Sequence, residues 1–276
     1  RWGREVGLGE GAFDTSGLPS WKPLPLLASV PLAFTGAAAP WLWLWLVRSA
    51  GLAALALVYR LTARRIDPVA GATAAVLLAL APGWWPTLLG GGIEPVVVAL
   101  GCGVVVAYQA GRHGVAFGLL TAMALGREEA ALLLVAYGAV LCRADRRWLA
   151  PAALAVVVVA GAWLGGDWLG SGNALHGGEL ARAAAGPVRI GTAVAALAIA
   201  GAPPLLALWA AGAAAAWRGG DRCVLALAGA GLAWAAADVA LALAGYPVPP
   251  RFLLPAAAAS AVVAGAGVSA FRHRSA

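Results

Sequence analysis

The residues best able to do chemistry in this chain are few and widely spaced. Lys22 is its only lysine; every other basic side chain is arginine. It sits in SWKPLPLLASVP, at the doorway of an apolar run. An ammonium in that setting either snorkels to lipid headgroups as an anchor or holds an anion. A second group is the turn GREEA, where Arg127 is followed by Glu128 and Glu129. An arginine beside two carboxylates, flanked by apolar helices, is costly unless it faces a wet cavity or partners. Glu128 and Glu129 cannot share one helix side, so one of them pairs with Arg127. Glu94 opens a helix, where a carboxylate favours the N-terminal dipole. Arg251 precedes another and either caps it or reaches an anion. His176, with Glu179 and Arg182, belongs to a long loop and is either solvated or in touch with a bound molecule. Glu5, Glu10 and Asp14 are the acids of the first polar segment. Arg48 and Asp238 fall within apolar runs and need partners. Cys102, Cys142 and Cys223 show no metal or disulfide spacing and read as small buried hydrophobes.

What must position these groups is a membrane. Of 276 residues, 62% are hydrophobic and only 11% charged, against about a quarter charged in an ordinary soluble domain. Uncharged runs at 69–89, 95–110 and 191–217 approach or exceed the roughly 20 residues that cross a bilayer. The fold class is therefore all-α, a polytopic bundle of transmembrane helices, with membrane lipid as its surroundings. The net charge of +7 is no nucleic-acid signal, because the arginines lie in short clusters between apolar runs.

Those clusters fix an orientation. Placing Arg60, Arg64, Arg65, Arg112, Arg143, Arg146, Arg147, Arg218, Arg222, Arg272 and Arg274 on the cytoplasmic side pairs the runs between them. Residues 69–89 leave and 94–110 return, as do 114–125 and 128–142, 148–165 and 191–217, and 224–244 and 252–271. Residues 41–61 enter first, giving about nine crossings. Residues 24–38 are short and carry Pro23, Pro25 and Pro31 at or near them; proline breaks the helix ladder when interior. They predict an interfacial or re-entrant helix on the outer face. That face also collects the loop 83–93, the tip 126–129, the loop 166–188 with an amphipathic tail suited to a surface helix, and the loop 245–251. The organisation expected is one domain over 1–276, with an outer-face arm to residue 40 and a bundle over 41–276. Parity further predicts a helix upstream of Arg1.

Several stretches then resemble one family. WKPLPLLASVPLAFTG (21–36) resembles the Lys-Pro segment of polyprenyl-phosphate-dependent GT-C glycosyltransferases, among them the protein O-mannosyltransferases, the aminoarabinose transferases and actinobacterial relatives. LVRSAGLAALALVYRLTARRIDPVAG (46–71) is similar to their arginine-rich helix, and GGIEPVVVAL (91–100) to a helix opened by an acid. GREEA resembles their Arg-Pro-Glu turn, and PPRFLLPAAAASAVVAG (249–265) the segment that closes the fold. The matches run in order along nearly the whole chain. Departures are Trp21 for a histidine or acid, Pro-Leu-Pro for Pro-Pro-Leu, and the absent proline in GREEA.

The resemblance implies a bacterial inner-membrane enzyme with its active site outside. It would move a sugar from a polyprenyl-phosphate-linked donor to a glycan, lipid or protein acceptor, with use of a divalent metal open. A carboxylate would act as general base toward the acceptor hydroxyl, and cations would stabilise charge growing on the leaving phosphate. By resemblance Lys22 contacts the donor phosphate, with Arg127 and Arg251 as further outer-face cations. Glu94, Glu128, Glu129 and His176 would line the cavity, and Glu94 is the one metal candidate. The family's base lies in a first outer loop, which here would fall upstream of Arg1; Glu5, Glu10 and Asp14 are the alternatives within the chain. Two other readings stand beside this one: a transporter or flippase of a lipid-linked or anionic substrate, and a binding protein that keeps the fold without the base.

Overall fold

The structure is a computed structural model that describes residues 2–17, 21–185 and 203–272. Every regular element among them is a helix. In chain order these are α1 (Trp2–Leu8), α2 (Pro23–Ala33), α3 (Ala39–Arg65), α4 (Pro68–Ala79), α5 (Trp84–Gly90), α6 (Glu94–Gln109) and α7 (His113–Gly126). They continue with α8 (Ala130–Ala144), α9 (Leu149–Ser171), α10 (His176–Ala185), α11 (Pro203–Gly219), α12 (Arg222–Leu243) and α13 (Leu254–Arg272).

Length decides which of them can span a bilayer. Gly36–Arg65, Arg146–Ser171, Arg222–Leu243 and Pro250–Arg272 are long and apolar enough, and α4 with α5 makes a fifth if that bent pair counts as one. The arginine pattern predicts nine crossings, so the described residues hold fewer full-length spans than expected. The shortfall is in α6, α7 and α8, which have 16, 14 and 15 residues. At 1.5 Å per residue they reach about 21–24 Å, against a hydrocarbon core of about 30 Å. The predicted crossing 191–217 lies partly outside the described residues, as does Arg274 of the basic cluster. The predicted crossing 69–89 is broken, with a bend of 68° between α4 and α5. Pro82 has no N–H to continue the helix ladder, and Gly83 adopts φ +87°, a conformation glycine alone enters without strain. The segment 24–38 does form a short helix, α2, followed by a 3-10 turn at Gly36–Ala38.

The described chain falls into two compact units. The first comprises Arg1–Leu46, Gly103–Val188 and Gly245–Pro247; the second comprises Val47–Cys102, Arg189–Ala244 and Val248–Ala276.

In the second unit α13 is the axis, packed by α4, α11 and α12. Its sequence, LPAAAASAVVAGAGVSAFR, explains why. Lipid tails are as apolar as leucine, so helices in a membrane gain by close backbone approach at small residues. A Cβ on Gly212 would fall on the Val263 carbonyl, one on Gly267 on the Leu208 carbonyl, and one on Gly265 would sit 2.6 Å from the Ala70 oxygen. Around this axis Leu78, Trp84, Val98, Leu254 and Val262 form a buried cluster. Two aspartates tie the helix ends of the same unit. Asp67 accepts from the N–H groups of Val69 and Ala70, capping α4, and lies 3.5 Å from Arg272. Asp221 caps α12 through Cys223 and Val224 and accepts from Arg65 Nε at 2.6 Å.

In the first unit α1 docks on α2 through Gly3 and Gly7, which meet Ser29 and Val30. Helices α7 and α8 form a hairpin, and α9 packs along both. Trp163 of α9 donates its indole N–H to the Ala124 carbonyl of α7 at 3.0 Å. The loop expected over 166–188 starts later than predicted: α9 runs on to Ser171 and stops at Gly172, with φ +77°. The amphipathic tail is the helix α10, as the pattern requires.

Two predictions follow from the second unit. Gly212→Val or Gly267→Val forces a backbone shift and should cost about 3 kcal/mol or more, read as a lowered melting temperature in detergent. Gly229→Ala on α12, where a Cβ meets nothing within 4 Å, should leave it unchanged or slightly raised. The second concerns acid. The Ser269 hydroxyl and the Ala70 N–H hold the Asp67 carboxyl below its usual range. Burial opposes the same shift at Asp221, but hydrogen bonds and charge from Arg65 outweigh it. Groups with depressed pKa stabilise the fold above the unfolded value of about 4 and lose that contribution as pH falls through the folded value. Melting temperature should drop below about pH 4, and Asp67→Asn with Asp221→Asn should flatten that limb.

Candidate functional site

The local sequence explains where Lys22 points. A residue before proline is pushed to extended backbone, and Lys22 has φ −141° and ψ 132°. Pro23 then opens α2 at a position that suits it, leaving Lys22 at the N-cap. Lysine has no acceptor to cap with, and a cation there opposes the helix dipole. The surroundings offset this. Its ammonium lies 5.6 Å from the centroid of the Trp163 ring and close enough to Glu129 to act on its carboxylate.

The neighbouring Trp21 is lodged against α9. A Cβ on Gly166 would fall inside its indole ring, so only glycine allows this approach. Phe13 meets the same ring edge-on at 5.8 Å. One turn further along α9, Gly170 receives Thr15, whose N–H donates to the Gly170 carbonyl at 3.1 Å. The notch made by Gly166 and Gly170 therefore seats the segment that delivers Lys22.

Across from Lys22 is the α7–α8 turn. Arg127, with 0% of its surface exposed, donates from Nε to Glu129 Oε2 at 3.0 Å and from Nη2 to Oε1. Such a fork is the geometry guanidinium and carboxylate share best. Glu129 also stands at the N-cap of α8, where its negative charge is favoured. Glu128 points away and is exposed, which settles which acid pairs with the arginine.

A residue the sequence reading passed over completes the arrangement. Asp167, 7% exposed, lies on α9 one turn beyond Trp163, on the same face. Its Oδ2 accepts the Gly177 N–H at 2.9 Å, and a Cβ on Gly177 would come within 2.9 Å of that oxygen. Trp21, His176 and Glu128 all lie near enough to act on the carboxylate. The signal was present: an aspartate in an otherwise uncharged helix of 23 residues is a functional candidate wherever that helix lies in a membrane. Ending the helix at residue 165 hid it in a loop.

The other expected residues divide clearly. Lys22, Arg127 and Glu129 come together, with Glu128 at their edge by Asp167. His176 opens α10 beside Asp167, and its Nε2 is 3.3 Å from the Ser16 carbonyl. Glu10 is tied to Arg4 at 2.7 Å on the surface, and Asp14 accepts the Ser16 N–H at 2.8 Å in a local turn. Glu5 is half-buried on α1. Glu94 and Arg251 belong to the second unit, where Arg251 Nε lies 3.6 Å from the buried Glu94 Oε1 and its side chain is 52% exposed. The Arg251 guanidinium also stands 5.5 Å from the Phe252 ring. Among the described residues no group of three His, Cys, Asp or Glu is placed to hold a metal ion. No family model, curated protein or solved structure matches the chain.

The buried fork makes a direct prediction. Arg127→Leu or Glu129→Leu alone leaves a buried charge uncompensated and should cost about 3–5 kcal/mol. The double variant should be more stable than either single, as measured by denaturation in detergent through a double-mutant cycle.

Proposed function

We propose that the chain is a membrane glycosyltransferase that takes a sugar from a polyprenyl-phosphate donor and delivers it to an acceptor on the extracytoplasmic face. The observation that carries this reading is the placement of the only lysine at a helix N-cap, half-buried, over Trp163 and beside the Arg127–Glu129 fork. A lone ammonium anchored merely at a lipid surface needs none of these partners. One held against an indole face and a buried ion pair is pre-positioned for an anion that is itself partly desolvated.

The chemistry fits a lipid phosphate. Lysine acts as a point charge and tolerates a phosphate in several orientations. Its stabilisation grows as the glycosidic bond breaks and negative charge gathers on the leaving oxygen. Arg127 has no surface to offer a ligand in this structure; its role in this reading is to fix the turn that carries Glu129. Arg251 is an exposed cation of the second unit, where it lies beside Glu94. The order of family-like segments along the chain supports the same reading, as does the apolar setting in which a polyprenyl chain would be held. The arginine distribution supports an orientation with this cluster outside, and the family resemblance is what suggests a bacterial inner membrane.

The test uses membranes containing the full chain. Lys22→Ala should weaken binding of polyprenyl phosphate about tenfold or more, the loss expected for a hydrogen bond to a charged group, with folded yield unchanged. Unchanged affinity would return Lys22 to the anchor reading. Incubation with radiolabelled polyprenyl-phosphate sugars should move label to an acceptor. Passage of an intact lipid-linked sugar across the membrane without transfer would favour a transporter.

A further inference from the structure

Three buried polar atoms crowd the C-terminal turns of α9 without a hydrogen-bond partner: Thr15 Oγ1, Trp21 Nε1 and Asp167 Oδ1. Their residues are 2%, 5% and 7% exposed. A buried polar atom left unsatisfied is costly, so three on neighbouring turns point to a guest. Its chemistry can be read from theirs. Trp21 offers only an N–H and Asp167 only an acceptor. The indole N–H acts on the carboxylate as a donor, yet neither Trp21 Nε1 nor Asp167 Oδ1 has a partner within hydrogen-bond geometry, so the gap between them is one a further group can bridge. A hydroxyl accepts from the one and donates to the other. A phosphate would be repelled by Asp167 and by the nearby Glu128, and an ammonium would leave the indole N–H unmet.

We propose that Asp167 is the catalytic base of the sugar transfer, holding the acceptor hydroxyl between its Oδ1 and the Trp21 N–H and taking its proton. The proposal rests on the glycosyltransferase reading above and names a base among the described residues. The Gly177 N–H fixes Oδ2 and so aims Oδ1. Trp163, one turn back on the same face of α9, carries Lys22 over its ring, so acceptor and leaving phosphate are held on adjacent turns of one rigid helix. The acceptor O–H bond breaks and its proton passes to Oδ1. The oxygen's electron pair forms the new bond to the anomeric carbon, and the bond from that carbon to the phosphate oxygen breaks. Its electrons leave on the lipid phosphate beside Lys22.

Membranes containing the full chain, with radiolabelled polyprenyl-phosphate hexose and pentose as donors, test this. Asp167→Asn keeps an acceptor for Gly177 and should lower label transfer about 100-fold, with polyprenyl-phosphate binding and melting midpoint unchanged. Asp167→Glu should restore part of the rate, and the acid limb of the wild-type pH–rate profile should vanish in Asp167→Asn. Wild-type transfer by Asp167→Asn overturns the proposal while leaving the glycosyltransferase reading intact, and shows the guest to be water alone. Parallel loss of transfer, phosphate binding and folded yield also overturns it, making Asp167 a clamp on α10. If the wild-type chain transfers no label, the glycosyltransferase reading fails and this role falls with it.

Discussion

A guanidinium with no exposed surface must keep its carboxylate. That constraint organises the first unit. Two parallel hydrogen bonds between Arg127 and Glu129 close the turn joining α7 to α8, and the desolvation of both groups makes the alternative geometries expensive. The turn's rigidity fixes Glu129 as a negative point near Lys22. Without it, an ammonium at the head of α2, where the helix dipole opposes it, would lose a carboxylate that acts with the Trp163 ring to offset that cost. Glu128, one position away, is left exposed because the fork consumes its neighbour and the turn can present only one carboxylate inward.

The two units meet the absence of a hydrophobic driving force in lipid by the same device. In the second, Gly212, Gly265 and Gly267 let helices touch backbone to backbone. In the first, Gly166 and Gly170 accept an indole and a threonine, and Gly3 and Gly7 accept the α2 backbone. The difference is what the close approach accomplishes. Around α13 it yields packing alone, whereas on α9 it seats Trp21, the neighbour of the ammonium that stands over Trp163.

Much of this was legible in the sequence, and the gaps have physical causes. Arginine spacing and apolar runs gave the helical class, and the Lys-Pro pair gave an extended residue before a helix. The GREEA turn announced an internal ion pair, though not which glutamate would make it, since that depends on the phase at which α8 begins. The nine-crossing count read apolar length without the interruptions: Pro82–Gly83 splits one run, and three helices stop short of a bilayer's thickness. Asp167 escaped because glycines at 165 and 166 resemble a helix end, while the second of them admits Trp21. Glu94 and Arg251 show the reverse case. Both were recognised as candidates, and they form a pair of their own in the second unit.

Lys22 has one more consequence, which comes from its being solitary. Apart from the α-amino group, the chain carries a single primary amine, and that amine stands at the site. An acylating or reductively methylating reagent therefore has one side-chain target, and an isotopic methyl placed there would give a single resonance shaded by the Trp163 ring current. The molecule supplies its own reporter, at the position where a report is most informative.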